Sequence, residues 1–140
     1  MTTKQYLDSV YRIDKIISNK LVEIYQLKTL ASNISVANDG EKVISSINPD
    51  KLGDSVAKIV DMEREVDALV DELLEKKKNI VLQIESMENT EHYNFLFLRY
   101  IKRASYKDIE EEMHYSRVQL WRIHEDAMNE FEKKYGSEYL

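Results

Sequence analysis

The sequence predicts an all-α protein, in which a long N-terminal helical hairpin or coiled coil precedes a C-terminal three-helix module with a helix-turn-helix. The chain of 140 residues has one proline and three glycines, and 33% of its residues are charged, which favours long helices over a loop-rich β fold. Apolar residues recur at spacings of three and four, the period of an amphipathic helix. We expect a hairpin or coiled-coil oligomerisation segment at residues 1–89 and the helix-turn-helix module at residues 90–140.

The first helix is expected to begin with Thr3 as its cap and to end at about Ala31. A break rich in Ser, Asn, Asp and Gly should follow from Ser32 to Gly53, and its apolar residues could form one short extra helix. The stripe that the first helix should bury consists of Val10, Ile13, Ile17, Leu21, Ile24, Leu27 and Ala31.

The second helix, expected to be capped by Asp54, carries a heptad-like apolar seam with two polar interruptions, Glu63 and Lys77. Two interpretations stay open and can both hold. The seam packs on the first helix as an antiparallel hairpin, or it mediates self-association with Glu63 and Lys77 setting the register. The residues assigned to self-association are Val56, Ile59, Val66, Val70, Leu73, Ile80 and Ile84.

Three shorter helices should follow. Thr90 is expected to cap the third helix, Ser105 the fourth, from Tyr106 to about Met113, and Ser116 the fifth, which should stop at Gly136. Two helices that cross at a tight turn need apolar residues at fixed offsets. With Tyr106 as the first position, those sites fall on Ile109, Met113, Tyr115, Leu120 and Ile123.

Composition and motifs exclude several classes of function. Without cysteine the chain has no disulfide, zinc thiolate or cysteine nucleophile. Its three histidines show no metal-ligand spacing, His124 and the two acidic residues after it are interpreted as a polar helix face, and Walker and dinucleotide motifs are absent. No apolar run approaches the roughly 20 residues that span a bilayer. We therefore expect no enzyme activity, metal, cofactor or membrane contact.

The run from Leu98 to Ala127 resembles region 4 of sigma-70-type factors, through Leu98-Arg99-Tyr100, Ser105 to Ile109, Glu111 to Met113, Tyr115 to Arg117, Leu120 and Ile123. The whole chain is similar to small phage-encoded regulators of the ArpU/RinA type. The resemblance implies a transcriptional regulator that binds promoter DNA in the cytoplasm of a bacterial host cell.

The sequence departs from this pattern at two positions. Glu110 stands where a small residue is usual, because the two helices approach closely there, so its side chain must reach outward or the crossing must open. His114 stands where glycine is usual, because the turn requires a left-handed backbone that His tolerates better than most residues.

The candidate base readers lie at the start of the fifth helix, which would enter the major groove. They are Arg117, Val118, Gln119 and Arg122, since Arg pairs with guanine, Gln with adenine and Val with the thymine methyl group. The alternative for both arginines is a solvated helix face. Trp121 is expected either to pack on the third helix or to flank a sugar-phosphate. Candidate backbone contacts are Lys102, Arg103, Lys107 and Ser116.

Charge is distributed in a way that fits this assignment. The net charge is −6, but eleven acidic residues outnumber five basic ones from Asp54 to Glu91, whereas six basic residues exceed four acidic ones from Arg99 to His124. We expect an oligomeric, double-stranded-DNA-binding regulator of phage type, with RNA polymerase as a further candidate partner. The rivals are a small terminase subunit for DNA packaging, and a helical adaptor that binds RNA polymerase or another protein without reading DNA.

Overall fold

A computed structural model of the chain describes residues 1–40 and 49–140, and every regular element in these ranges is helical. The fold class predicted from the sequence, a helical hairpin followed by a C-terminal helical module, is confirmed. None of the helices in the described part of the chain is long and apolar enough to cross a membrane. The elements are α1 (Thr3–Gly40), α2 (Pro49–Glu85), α3 (Thr90–Leu96), a π-helix (Phe97–Ile101), α4 (Tyr106–Met113), α5 (Arg117–Tyr135) and a terminal 3₁₀ turn (Gly136–Glu138).

The start of α1 lies one residue earlier than expected. Thr2 is the cap, because its Oγ1 accepts from Gln5 N at 3.1 Å and its own N–H donates to Gln5 Oε1 at 2.9 Å. This reciprocal pair satisfies the backbone N–H groups of Thr2 and Gln5, as in a capping box. Thr3 is instead the first helical residue and is buried, with its Oγ1 2.8 Å from the Tyr139 hydroxyl.

Both long helices extend into the segment from Ser32 to Gly53 that was expected to be a break. Helix α1 continues to Gly40, and α2 begins at Pro49, so Asp54 lies inside α2 and is not its cap. Proline suits a first helical position, because its missing N–H would be unpaired there in any case. The expected short extra helix falls partly on α1 and partly on residues 41–48, which lie outside the described residues.

The seam of α2 is largely covered within one chain. Five of the seven residues assigned to self-association are buried and two are half-buried. This packing confirms the hairpin interpretation and leaves self-association a prediction. The buried residues are Ile59, Val70, Leu73, Ile80 and Ile84, and the half-buried ones are Val56 and Val66.

The chain divides into two compact units, Met1–Asp14 with Glu75–Leu140, and Lys15–Leu74. This division differs from the boundary at residue 89 expected from the sequence. In the first unit, the start of α1 and the end of α2 pack with the C-terminal helices. In the second unit, Lys28 pairs with Glu63 at 3.3 Å, and Leu21, expected in the buried stripe of α1, is 53% exposed.

A cluster of aromatic residues packs the N-terminal and C-terminal parts of the first unit against each other. Phe131 of α5 is fully buried, and its ring lies 6.0 Å from that of Tyr6 and 6.1 Å from that of Tyr139. Tyr6 and Tyr139 stack at 4.3 Å, nearly parallel. Burying a side chain of this size contributes about 2–3 kcal/mol, so the cluster fixes both chain ends on α5.

A buried amide links α2 to the same cluster. Gln83 is 5% exposed, its Oε1 accepts from the Tyr6 hydroxyl at 2.6 Å, and its Nε2 donates to Glu138 at 2.5 Å. Both ends of the amide are thus satisfied, which removes the penalty of burying it. Since Tyr6 lies on α1 and Glu138 lies after α5, the hydrogen bonds of Gln83 hold the end of α2 in place against both segments.

The residues before the C-terminal helices also differ in detail from expectation. Asn89, not Thr90, caps α3, because its side chain accepts from the backbone N–H groups of Glu91 and His92. The expected third helix changes to a π-helix at Phe97, which ends at Ile101, and Arg103 follows it with a φ of 60° in the left-handed region. Residues 102–104 thus form a short connection to Ser105, the cap of α4.

Candidate nucleic-acid interface

Helices α4 and α5 are joined by a turn whose local signals the sequence carries. Ser105 caps α4, accepting from Asp108 N at 3.2 Å, and His114 ends it with φ 58° and ψ 40°. Both features were expected, and the left-handed conformation of His114 is what reverses the chain direction. His114 thus adopts the backbone conformation that glycine usually supplies at this position.

The start of α5 is fixed by a complete capping box. Ser116 Oγ accepts from Gln119 N at 3.3 Å, and Gln119 Oε1 accepts from Ser116 N at 2.8 Å. Ser116 is the cap predicted from the sequence. The reciprocal bond uses the Gln119 side chain, which was also assigned to base reading, so that assignment stays a prediction and requires the box to open.

The five apolar sites that define the predicted crossing are covered. Ile109 and Leu120 are fully buried, and the other three are half-buried. Tyr115 additionally donates its hydroxyl to the Glu91 carboxylate, a contact that raises the pKa of Tyr115 and ties the turn to α3. The three half-buried residues are Met113, Tyr115 and Ile123.

The face of α5 opposite this core is open to solvent. Val118 is 52% exposed, Trp121 is 56% exposed, and Arg122 is exposed without an ion-pair partner among the described residues. Residues at spacings of three and four lie together on a helix, so these three form one surface. Of the two alternatives expected for Trp121, its exposure favours flanking a sugar-phosphate over packing on the third helix.

Arg117, the first of the predicted readers, has a defined geometry. Its Nε donates to Glu110 Oε1 at 2.6 Å, and its guanidinium carbon lies 5.4 Å from the centroid of the Tyr106 ring. Glu110 is half-buried and reaches outward to make this pair, which is one of the two possibilities expected for it. A carboxylate of α4 therefore holds an arginine of α5 across the turn.

The lysines and the arginine predicted to contact the DNA backbone differ in the contacts that they make within the protein. Lys102 and Lys107 are exposed. Arg103 is exposed too, but its guanidinium lies 3.2 Å from the Tyr11 ring centroid, so it faces α1. Arg99, which the sequence reading did not single out, lies 4.5 Å from the Tyr106 ring and donates from Nη1 to Ala104 O at 3.2 Å. These two contacts of Arg99 could not be predicted from the sequence and are visible only in the fold.

A buried polar centre lies behind the exposed face of α5. Tyr100 is 5% exposed, and its hydroxyl lies 2.7 Å from His124 Nε2, while the Tyr106 hydroxyl lies 3.3 Å from Nδ1. Burial raises the pKa of Tyr100 and lowers that of His124. The expectation that His124 belongs to a polar helix face is wrong, because its ring is half-buried and both of its nitrogens contact tyrosine hydroxyl groups.

The fold and the geometry define an α-helical protein with a hairpin and a C-terminal module that presents one face of α5. The chain belongs to the family DUF1492, described as a protein of unknown function, whose model matches residues 35–132. The match covers more than half of the chain and includes all of α2, α3 and α4 and most of α5. Comparison with curated proteins gave no match, and neither did comparison with solved structures.

Proposed function

We propose that this protein is a double-stranded-DNA-binding transcriptional regulator of phage type, acting at promoters as an oligomer. The observation that carries the proposal is the exposed face of Val118, Trp121 and Arg122 at the start of α5, fixed from behind by the buried Leu120. A helix presented in this way can enter the major groove with its first turns against base edges. The role at promoters comes from the resemblance to region 4 of sigma factors.

The chemistry of this face suits base reading. Arg122 can donate two parallel hydrogen bonds to guanine, and Val118 can contact a thymine methyl group. Trp121 offers a broad apolar surface beside them, which fits a methyl group or the face of a deoxyribose. Because α5 is fixed by its capping box and by Leu120, these side chains need little reorganisation on binding.

Phosphate contacts would come from residues near the start of α4 and from the start of α5. Lys102 and Lys107 are exposed, and the N-terminus of α5 at Ser116 offers backbone N–H groups to an anion. Such contacts position the helix without reading sequence. Each lysine that contacts a phosphate should contribute about one unit to the slope of log affinity against log salt.

Selection of duplexes from a random pool by the purified protein tests this proposal, followed by affinity measurements across salt concentrations. We expect one sequence class to be enriched, and Arg122→Ala to weaken binding to it by about tenfold. Arg64→Ala removes an equal charge from an exposed position of α2. It is the matched control and should leave binding unchanged. No enrichment and no salt dependence would contradict the proposal.

A second copy of the chain is the partner that we propose for the unit Lys15–Leu74. Its α1 segment exposes Leu21, Val22 and Tyr25, the last at 71%. Three basic residues outnumber two acidic ones in the α1 part of this unit, whereas eight acidic residues outnumber three basic ones from Pro49 to Leu74. A second copy that lays its α2 on this face would bury apolar surface between opposite charges.

Oligomerisation would also explain how a weakly basic module binds DNA, since linked modules raise each other's effective concentration. Light scattering of the double variant Leu21→Glu, Tyr25→Glu should give the mass of one chain, because two charges replace the apolar face. Asn19→Glu adds a charge at another exposed position of α1 and should leave the assembly intact. A monomeric wild-type protein contradicts the oligomer.

A second candidate function is an adaptor that binds RNA polymerase or another protein without reading DNA. The apolar character of Val118 and Trp121, both more than half exposed, favours it, since exposed aromatic residues are enriched where proteins meet. Two variants distinguish the two functions. As an adaptor, the protein would lose partner binding with Trp121→Ala and keep it with Arg122→Ala, and it would enrich no DNA sequence.

A further inference from the structure

We infer that Glu110 is a positioning residue that prepares Arg117 to read a guanine, an inference that rests on the DNA-binding function proposed above. The basis is the hydrogen bond of 2.6 Å from Arg117 Nε to Glu110 Oε1, made across the turn between α4 and α5. The pair is partly solvent-exposed, with 47% of the arginine side chain and 28% of the glutamate side chain accessible. It is therefore within reach of a ligand on the surface.

The bond selects which edge of the guanidinium stays available. A guanidinium carries five N–H donors in a planar fork. With Nε–H donated to Glu110, the two terminal NH₂ groups remain available to donate in parallel to guanine O6 and N7. The Tyr106 ring, 5.4 Å from the guanidinium carbon, borders the side chain on another side. Arg117 thus starts in one orientation and loses less rotamer freedom when it binds.

Because Glu110 is negatively charged, we assign it a role in positioning Arg117 and not in raising the affinity for DNA. A carboxylate beside a DNA-binding helix repels the phosphate backbone and lowers binding to every sequence. Hydrogen bonding to one arginine can raise discrimination while that general affinity falls. Glu111 and Glu112 lie on the same short helix, are exposed and make no hydrogen bond or ion pair with a described residue, so they supply repulsion alone. They are matched controls for Glu110.

The test compares affinity for the selected duplex with affinity for duplexes in which each G·C pair is replaced in turn. Glu110→Ala should reduce discrimination at one G·C pair by about tenfold, the value of a good Arg–guanine pair, while affinity for unrelated DNA stays equal or rises. Glu110→Gln keeps an oxygen that can accept from Nε and should retain most of the discrimination. Glu111→Ala should raise both affinities together and leave discrimination unchanged.

A double variant ties the effect to Arg117. In Arg117→Ala, discrimination at the same G·C pair should already be lost, and adding Glu110→Ala should change it no further, because the residues act as one unit. Thermal unfolding of each variant separates loss of reading from loss of fold, since a merely structural role would lower stability and both affinities together.

The outcomes distinguish this inference from the function on which it rests. A wild-type protein that selects no duplex overturns the DNA-binding proposal and the inference with it. A protein that selects a duplex, but whose Glu110→Ala variant behaves like Glu111→Ala, overturns the inference alone. Loss of discrimination in Glu110→Ala that persists unchanged in Glu110→Gln also overturns it, because the acceptor oxygen would then be irrelevant.

Discussion

The hydroxyl of Tyr100 lies 2.7 Å from Nε2 of His124, and this contact joins the π-helix to α5 in the interior of the C-terminal module. The Tyr106 hydroxyl, from α4, approaches Nδ1 of the same ring at 3.3 Å. A neutral imidazole has one donor and one acceptor, so both of its nitrogens are used. One ring therefore connects three elements directly behind the surface proposed to read DNA.

Replacing Tyr100 by Phe should destabilise the protein by about 1–2 kcal/mol. The variant keeps the ring but removes the hydroxyl, which leaves a buried imidazole nitrogen without a partner. Urea denaturation followed by circular dichroism measures the change. Tyr106→Phe is the control and should cost less, because its hydrogen bond is longer and Tyr106 is half-buried. Equal effects for the two variants would contradict the assigned geometry.

Stability should fall as the pH drops below about 6.5. Burial lowers the pKa of His124 in the folded protein from its usual 6.5, and the positive charges of Arg99 and Lys4 lower it further while Asp8 opposes them. Between the folded and the unfolded pKa, the unfolded chain binds more protons than the folded one, so folding weakens as the pH falls through this window.

The pH dependence is measured as the free energy of unfolding from pH 8 to pH 5 for the wild type and for His124→Gln. The difference between the two curves isolates His124 from the other titrating groups. It should be flat above pH 7, and the wild type should lose stability relative to the variant below about 6.5. A flat difference across the whole range would show that His124 titrates alike in both states.

Local signals predicted the fold class and the α4–α5 turn, because caps and turns depend on neighbours in sequence. Ser105, His114 and Ser116 each do what their residue type favours. The half-burial of His124 was not predicted, because its partners Tyr100 and Tyr106 lie on elements that are distant in sequence. Periodicity identified Leu120 as a core residue, but it does not show which polar side chains other helices will cover.

In the candidate site, too, some side-chain contacts could not be predicted from the sequence. Polar side chains near a helix start were assigned to DNA by residue type, and the structure places two of them in contacts within the chain. Gln119 completes the cap of α5, and Arg117 pairs with Glu110. A capping box can be read from Ser116 and Gln119 three residues on. The ion pair cannot, since it spans seven residues and two helices.

His114→Gly should stabilise the protein slightly, by less than about 1 kcal/mol. Its φ of 58° lies in the left-handed region, where a side chain is strained, but glycine also adds freedom to the unfolded chain. His114→Val should destabilise it by about 1 kcal/mol or more, because a β-branched residue fits this region poorly. Thermal unfolding checks both variants.

Arg103 gives a matched comparison for His114. It has nearly the same backbone conformation, with φ 60°, but its guanidinium lies over the Tyr11 ring. Arg103→Gly should therefore gain less than His114→Gly, because it also loses a cation–π contact worth about 0.5–1 kcal/mol. A larger gain at Arg103 would mean that its contact with Tyr11 adds nothing to stability.

The ion pair between Asp14 of α1 and Lys77 of α2, at 2.7 Å, should contribute about 0.5–1 kcal/mol of coupling in a double-mutant cycle with Ala. The value is modest because about a third of each side chain is exposed, and it should shrink in 1 M salt. Since Lys77 has this partner within its own chain, Lys77→Ala should lower stability without changing the mass measured by light scattering. A change in mass with unchanged stability would instead assign Lys77 to contact between chains.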